Sequence, residues 1–182
     1  MSESKGITNT IELPEGVTFE LKDRVITIKG PKGENHRKLA DKHLKITQEG
    51  NLITLNYERD TKREKKKIYT TSAHIKNMIK GVKEGYTYTL KICSGHFPMN
   101  VSLKGDVFEI RNFIGEQVPR KLKIKQGAKV QIQGDIITVE SSSKEMAGQT
   151  AASIENLTKR PGFDKRIFQD GIYITNKDGK QI

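Results

Sequence analysis

The chain has 182 residues, of which 33 are lysine or arginine and 22 are aspartate or glutamate, so its formal net charge is +11. No run approaches the ~18 apolar residues of a membrane span, and the polar start lacks the apolar core of a secretory signal. The single cysteine, Cys93, excludes an internal disulfide and suits a reducing compartment. These features predict a soluble, intracellular protein without a membrane partner, and its charge indicates a polyanionic partner.

Charge and sequence are both shared between the two halves. Residues 1–85 carry 18 basic and 12 acidic side chains, a net charge of +6, and residues 86–182 carry 15 and 10, a net charge of +5. Three segments recur in the same order, with six of 14, three of six and five of ten positions identical, whereas chance gives roughly one in seventeen. Amphipathic strands resemble one another, but the shared order favours internal duplication. The pairs are 21–34 with 103–116, 50–55 with 134–139, and 71–80 with 150–159.

Alternating apolar residues predict β-hairpins in both halves. In the first half they run through residues 17–28, with the turn at Lys22-Asp23, and through residues 44–57. In the second half a strand is expected at 86–92 and hairpins at 101–110 and 129–140.

Each half also contains one segment with helical periodicity. Apolar residues at helical spacing predict a first helix over 68–82 that ends at Gly81 or Gly85. In the second half, the serines at 141–143 provide N-cap candidates before a helix that bears the apolar positions of 147–157.

Strands followed by one helix, twice over, predict the α+β class. We expect two tandem homologous domains from internal duplication, each a mostly antiparallel sheet packed with one main helix. The N-terminal domain is expected over residues 1–82 and the C-terminal domain, with a C-terminal extension, over residues 83–182. Each domain is near the size at which one hydrophobic core is marginal, so mutual support or a partner would stabilise it.

Three basic clusters are candidate polyanion contacts. The run at 62–67 has five cations in six residues directly before the predicted first helix, where helix amides would add anion affinity; a solvated loop explains it equally well. The run at 120–129 has five cations and no acid, so as a strand it would present one basic face, although lysines also protect sheet edges. In 159–173, basic and aromatic residues are interleaved, which suits phosphate pairing and base stacking, but Phe168, Ile172 and Tyr173 are better explained as core anchors.

An enzyme is not expected. Cys93, His96 and Asp106 could supply a nucleophile, a base and an orienting acid, but no second histidine or cysteine clusters near them. The four histidines lack metal-ligand spacing, so no metal site is predicted and no cofactor. The segment 30–33 resembles a phosphate-binding loop only in outline, and an ordinary turn explains it better.

Three segments resemble a universal ribosomal protein family of the large subunit, the one numbered six in bacteria and nine in eukaryotes. They are 95–100, 109–116 and 166–173, they are closest to the eukaryotic–archaeal branch, and the likeness extends over essentially the whole chain. The resemblance implies a duplicated sheet-and-helix fold that binds large-subunit ribosomal RNA near the sarcin–ricin region and the base of the stalk. Bacterial members have an RNA-contacting loop after the second helix, and residues 160–166 take that place here.

The resemblance therefore predicts a structural constituent of the large subunit of a cytosolic ribosome, assembled in the nucleus if the source is eukaryotic. Its partners would be large-subunit rRNA and neighbouring ribosomal proteins, including those of the stalk base, and no homo-oligomer is expected. The alternative is a free-standing RNA-binding regulator or ribosome-processing factor with the same fold. The residues predicted to contact rRNA come from the three clusters and are Lys62, Arg63, Lys65, Lys66, Lys67, Arg120, Lys121, Lys123, Lys159, Arg160, Phe163, Lys165 and Arg166.

Overall fold

The computed structural model of the chain describes residues 6–39, 41–164 and 166–182. The chain divides between Gly85 and Tyr86 into two compact units, each made of antiparallel strands and one long helix. The predicted α+β class is confirmed. A domain boundary after residue 82 stays a prediction, and the division between the compact units falls at residue 85. No helix in the described part of the chain has the length and apolar content to cross a membrane.

The first unit has two three-stranded antiparallel sheets, in the orders β1-β6-β5 and β2-β3-β4, and one helix, α1. In chain order its elements are β1 (Ile7–Glu12), β2 (Thr18–Lys22), β3 (Val25–Gly30), β4 (Gly33–Lys38), β5 (Lys45–Glu49), β6 (Leu52–Tyr57) and α1 (Lys62–Lys83).

The core of the first unit follows from the two periodicities of its sequence. Alternate residues of β3 and β6, such as Ile28 and Leu55, point inward and are completely buried. On α1, Ile68, Ile75 and Val82 repeat every seven residues and are also completely buried, so one stripe of the helix covers both sheets. The apolar stripe was predicted, and it determines how the helix packs.

The first helix is longer at its N-terminus than the sequence predicted. It begins at Lys62, with Thr61 as the N-cap residue, so the basic run 62–67 forms its first turns and does not precede it. The apolar stripe starts only at Ile68, and periodicity alone therefore misses these polar turns. At the other end, Gly85 has a φ of +83° just after the C-cap, so of the two predicted stops Gly85 is the correct one.

The second unit repeats this plan and adds two strands after its helix, at the C-terminal end of the chain. Its sheets have the orders β8-β9-β10 and β11-β12-β7-β13-β14, and its helix is α2. In chain order its elements are β7 (Tyr86–Cys93), β8 (Asn100–Lys104), β9 (Val107–Arg111), a 3-10 turn (Phe113–Gly115), β10 (Arg120–Lys123), β11 (Ala128–Gln133), β12 (Ile136–Ser141), α2 (Lys144–Leu157), β13 (Gly171–Lys177) and β14 (Lys180–Gln181).

The predicted hairpins are confirmed, with one shift. The first hairpin turns at Asp23 and Arg24, which have φ values of +48° and +62°, because Lys22 still pairs with Val25 as the last residue of its strand. Two left-handed residues in a row match the twist of a two-residue hairpin. In the second unit the predicted N-cap run is also correct: Ser143 is the N-cap residue of α2. Strands β1, β4, β13 and β14 were not predicted.

Candidate nucleic-acid interface

The first basic cluster occupies the N-terminal turns of α1. Lys62, Arg63, Lys65 and Lys66 are exposed there. Lys65 forms an exposed ion pair with Asp60 at 3.1 Å, whereas no described carboxylate lies within ion-pair distance of the other three. The N-terminus is the positive end of the helix dipole, so cations there weaken the helix slightly while they attract anions. Their placement is therefore better suited to binding than to folding.

Lys67 differs from the rest of this cluster because its ammonium group is bound within the first unit. It donates a hydrogen bond to Oδ2 of Asp41, and the Tyr57 hydroxyl donates to the same oxygen at 3.0 Å. The backbone N–H of His43 donates to Oδ1 at 3.0 Å. These hydrogen bonds, that of Lys67 above all, hold the pKa of Asp41 far below its ordinary value. Burial, together with Asp41, raises the pKa of Tyr57 well above its ordinary value.

A charged cavity of about 600 Å³ is lined by Lys67 and Tyr57, the two side chains that donate to Asp41. Three chain segments form its lining, and the sequence did not single out the cations Lys42, Lys45 and Arg59 because no charge run marks them. One of them is already paired, since Lys45 donates to Glu58 at 2.7 Å, which raises the pKa of Lys45. The lining is Lys42, His43, Lys45, Tyr57, Glu58, Arg59, Arg63, Glu64 and Lys67.

The second basic cluster forms an edge strand, as its alternation predicted. Strand β10 lies at the edge of its sheet, with Lys121 and Lys123 exposed and Leu122 half-buried between them. No described carboxylate lies within ion-pair distance of either lysine. The two ammonium groups therefore present a basic face at a spacing of two residues along the strand.

The other two strands of this sheet extend the basic face with two cations that the sequence did not single out, Lys104 on β8 and Arg111 on β9. Glu109, directly opposite Lys121, is 4% exposed, and it lies 3.5 Å from Lys104 Nζ and 3.3 Å from Arg111 Nη2. Burial alone would raise the pKa of Glu109, but the charges of Arg111, Lys104 and Lys121 outweigh burial and lower it. One buried carboxylate therefore holds several cations over one side of the sheet.

Arg120 begins the same strand but has a different environment. Its Nε and Nη2 donate to the Glu116 carboxylate at 2.8 and 2.6 Å, and its Nη1 donates to the backbone carbonyl of Leu157 at 2.6 Å. The guanidinium carbon lies 4.4 Å from the centre of the Phe113 ring. Contact between Arg120 and RNA stays a prediction, but its guanidinium is already engaged within the second unit.

The third cluster forms a continuous stack of side chains after α2. The guanidinium carbon of Arg160 lies 4.4 Å from the centre of the Phe163 ring. The Phe163 ring meets Phe168 edge-on at 5.2 Å, and Phe168 stacks on His96 at 5.0 Å. Phe163 is 37% exposed and Lys159 is exposed, so the stack presents an aromatic and cationic surface to solvent. Phe168 is half-buried in this stack, whereas Ile172 is a core residue as predicted.

A buried carboxylate joins the two loops that carry this stack. Asp170 accepts hydrogen bonds from the backbone N–H groups of Gly95 and His96 at 2.7 and 3.0 Å, and its other oxygen lies 2.5 Å from His96 Nδ1. Burial opposes the charge of Asp170, but the His96 and Gly95 contacts outweigh burial and lower its pKa. Sequence reasoning missed Asp170, although it directly precedes a glycine–apolar strand within one of the three motif segments.

The loop tip contains the remaining predicted contacts. Asp164 accepts a hydrogen bond from the backbone N–H of Arg166 at 2.9 Å and pairs with its guanidinium at 2.9 Å. The Arg166 side chain is nonetheless 90% exposed, so the pair is at the surface. Lys165 lies outside the described residues.

The histidine of the enzyme site weighed above is bound to an acid other than Asp106. His96 Nδ1 is bound to Asp170, and no group of three metal-ligating side chains occurs in the described part of the chain. The segment 30–33 is an ordinary hairpin turn, in which Gly30 pairs with Gly33. A Cβ atom at Gly30 would lie 2.8 Å from the backbone oxygen of Val82, so this turn packs against α1.

Comparison with known proteins identifies a family over most of the chain. Residues 13–85 and 97–171 each match the model of the family described as ribosomal protein L6. The chain is 43% identical over 178 residues to the large ribosomal subunit protein uL6 of Methanobrevibacter smithii, which covers 98% of this chain and 100% of that protein. It is 44% identical to the uL6 proteins of Saccharolobus solfataricus, over 92% of this chain and 93% of that protein, and of Methanosarcina mazei, over 95% and 98%.

These matches confirm two expectations from the sequence. One family model matches the chain twice, which confirms the tandem duplication, and the resemblance to this ribosomal family is confirmed over nearly the full length. The family is one of ribosomal proteins, so the expectation that the chain is not an enzyme is also confirmed by its relatives.

Proposed function

This chain belongs to the ribosomal protein L6 family, and we propose that it is a structural constituent of the large subunit of a cytoplasmic ribosome, where it binds large-subunit rRNA. The full-length likeness to relatives that are named large ribosomal subunit proteins supports this proposal. We place its contacts near the sarcin–ricin region and the stalk base, with stalk-base and other large-subunit proteins as neighbours.

The observation that carries the RNA-binding proposal is the presence on both units of exposed cations that form no described ion pair. In the described structure these are chiefly Lys62, Arg63 and Lys66 on α1 and Lys121 and Lys123 on β10. Exposed cations that neutralise phosphates release counterions, so binding should weaken steeply as salt concentration rises. Two units that each hold phosphates would fix the orientation of the protein between RNA elements.

The aromatic stack adds a second kind of contact. RNA that is not fully paired offers base faces, and aromatic or guanidinium planes stack on them. The exposed face of Phe163, next to Arg160 and Lys159, combines such a plane with phosphate-binding cations. We therefore retain Lys159, Arg160, Phe163 and Arg166 as candidate contacts, with Lys165 beside them in sequence.

Charge reversal on the edge strand tests this proposal. The double variant Lys121→Glu/Lys123→Glu should weaken binding to a large-subunit rRNA fragment by about 10–100-fold at 0.1 M salt and reduce the salt slope by about two. Both side chains are exposed, but a glutamate at 121 would face the buried Glu109 across the strands, so urea unfolding of the variant accompanies the binding assay and binding is compared only where the protein is folded. The matched control is Lys29→Glu/Lys91→Glu, two exposed lysines outside the three clusters, with the same change of net charge. Equal losses in the two variants would contradict a specific interface on β10.

A free-standing RNA-binding factor is the alternative, and co-sedimentation separates the two functions. A ribosomal constituent stays with the large subunit through a high-salt sucrose gradient, whereas a loosely bound factor is washed off. Loss of the wild-type chain from the subunit in high salt would favour the alternative.

A further inference from the structure

The first unit has an open sheet edge where the second unit has a strand. In the second unit, β7 lies between β12 and β13. Its counterpart in the first unit is β1. Ile11 of β1 pairs with Ile53, and Leu90 of β7 pairs with Ile137, which is the residue equivalent to Ile53 in the repeat. Strand β1 pairs with β6 on one side, and no described strand pairs with its other side. The connection from α1 to β7 leaves no length for a strand like β13, since β7 begins three residues after the last residue of α1.

The second unit shows how this position is filled. Strand β13 runs antiparallel to β7, with Ile174 opposite Leu90 and the fully buried Ile172 opposite Ile92. The C-terminal end of α2 holds its backbone: the Ile172 N–H donates to Thr158 Oγ1 at 3.0 Å, and the Ile174 N–H donates to the Glu155 carboxylate at 3.1 Å. The added strand is thus recognised by the sheet edge and by the end of the helix together.

In the first unit, a cavity of about 450 Å³ lies between β1 and the C-terminal half of α1. Ile11 and Ile79, which are 4% and 8% exposed, give it an apolar floor. Three lysines of α1 line it, and at the repeat offset of 79 residues Lys76 takes the position of Glu155. An ammonium group cannot accept a backbone N–H as the Glu155 carboxylate does, but it pairs with a carboxylate. The charged residues of the cavity are the lysines Lys76, Lys80 and Lys83 and the glutamates Glu12 and Glu84, so its lining carries a small positive excess.

We propose that the open edge of β1 is a docking site for an extended acidic segment of a partner protein. The segment adds a fourth strand to the β1-β6-β5 sheet, antiparallel to β1, as β13 does on β7. Its alternate apolar side chains cover Ile11 and Ile79, and its carboxylates pair with Lys76 and Lys83 of α1.

A protein segment fits this groove better than RNA does. A strand edge offers alternating N–H and C=O groups, and another strand matches both of them. An RNA backbone would place phosphate oxygens against the carbonyl groups, acceptor against acceptor, and would leave the apolar floor uncovered. Charge alone would suit either partner, so the apolar floor and the unpaired edge decide between them.

The probe for the test is a synthetic peptide based on the sequence of β13. Its sequence, Asp-Gly-Ile-Tyr-Ile-Thr-Glu-Glu, copies residues 170–175 and ends in two acids. Added to the full-length, isotope-labelled chain, it should shift the amide NMR signals of residues 7–13 and 76–84 and slow hydrogen exchange in β1. Lys76→Glu should weaken binding about tenfold or more, whereas Lys29→Glu, an exposed lysine on β3, should leave it unchanged. A peptide that ends in two lysines instead of two glutamates should bind the wild-type chain no more tightly than the acidic peptide binds the Lys76→Glu variant.

Three results would overturn the proposal. The first is no binding at about 1 mM peptide. The second is shifts confined to other surfaces, including exchange with β13 on β7. The third is that an rRNA fragment, and not the peptide, shifts the amide NMR signals of residues 7–13 and 76–84, and that Lys76→Glu weakens binding of this fragment. That result would assign the groove to RNA.

Discussion

Arg120 provides the strictest test of which cations support the fold and which bind RNA. Its guanidinium makes three hydrogen bonds and one ring contact inside the second unit. Arg120→Ala removes all of these contacts. The Glu116 carboxylate, which is 30% exposed, and the Leu157 carbonyl, the last of α2, then lose their hydrogen-bond donor. The substitution also releases the turn between β9 and β10, where Ile114 has a φ of +50°, a strained value for a β-branched residue.

The magnitude follows from these contacts. A hydrogen bond to a charged group contributes about 1.5–3 kcal/mol when it is desolvated, and a cation–ring contact adds about 0.5–1 kcal/mol. The side chains of Arg120 and Glu116 are partly exposed, at 23% and 30%, so solvent screening reduces the pair. We expect Arg120→Ala to lower the free energy of unfolding of the second unit by about 2–3 kcal/mol. For a unit of this size that corresponds to a Tm about 10–20 °C lower.

Urea unfolding followed by circular dichroism measures this loss, and rRNA-fragment binding below the transition is measured on the same samples. Arg120→Lys should recover less than half of the loss, because an ammonium group cannot reproduce the two-pronged contact with Glu116 and also reach Leu157. The reasoning is refuted if Arg120→Ala leaves unfolding unchanged within about 0.5 kcal/mol and weakens RNA binding as much as Lys121→Glu. Arg120 would then be an RNA contact, as the sequence predicted.

Three further predictions concern other parts of the chain. Gly30→Ala should destabilise the first unit by about 1–3 kcal/mol in urea unfolding, because the new Cβ would lie 2.8 Å from the Val82 oxygen; an unchanged midpoint would show that the turn adjusts. The folded-state pKa of Asp41 is depressed, so its contribution to stability is present above about pH 4 and lost as the pH falls below that value. Asp41→Asn should therefore lower stability at neutral pH and flatten the acid loss in urea titrations at several pH values, and an equally steep loss would contradict this. Phe163→Ala should weaken rRNA-fragment binding about tenfold with little change in Tm, and Phe163→Tyr should preserve binding; equal binding by both variants would remove Phe163 from the interface.

Much of the fold was predictable because one periodicity dominates each segment. The apolar stripe of α1 and the alternation in β7 each have a buried face that fixes the element. Strands β1 and β4 escaped prediction because they lie at sheet edges and consist largely of polar residues, so burial imposes little pattern on them. The N-terminal turns of α1 escaped for a related reason, since their residues face solvent and are held in the helix by the apolar turns that follow.

The candidate interface was less predictable than the fold, because a run of charge does not tell where each charge is directed. Lys67 and Lys66 are neighbours in sequence, yet one reaches Asp41 and the other is exposed without a described ion pair. Lys42 and Arg59 lie outside any charge run, and only folding brings them to the same cavity as Arg63 and Lys67 of the first cluster. Asp170 was missed because its role depends on a loop more than seventy residues away in the chain.

Local ion pairs explain part of the division of cations between folding and binding. Most of the engaged cations of the three clusters have an acid within a few residues: Lys65 pairs with Asp60, Arg120 with Glu116, and Arg166 with Asp164. Lys67 is the exception, because its acid comes from another segment. Lys121 and Lys123 have no acid within four residues, and they remain exposed at a sheet edge. Proximity in sequence is not sufficient, because Lys62, Arg63 and Lys66 lie within two residues of Asp60 or Glu64 and form no described ion pair. The cations without an ion pair are those whose charge is available to a phosphate. The net charge of +11 therefore identifies the interface only after these local pairs are set aside.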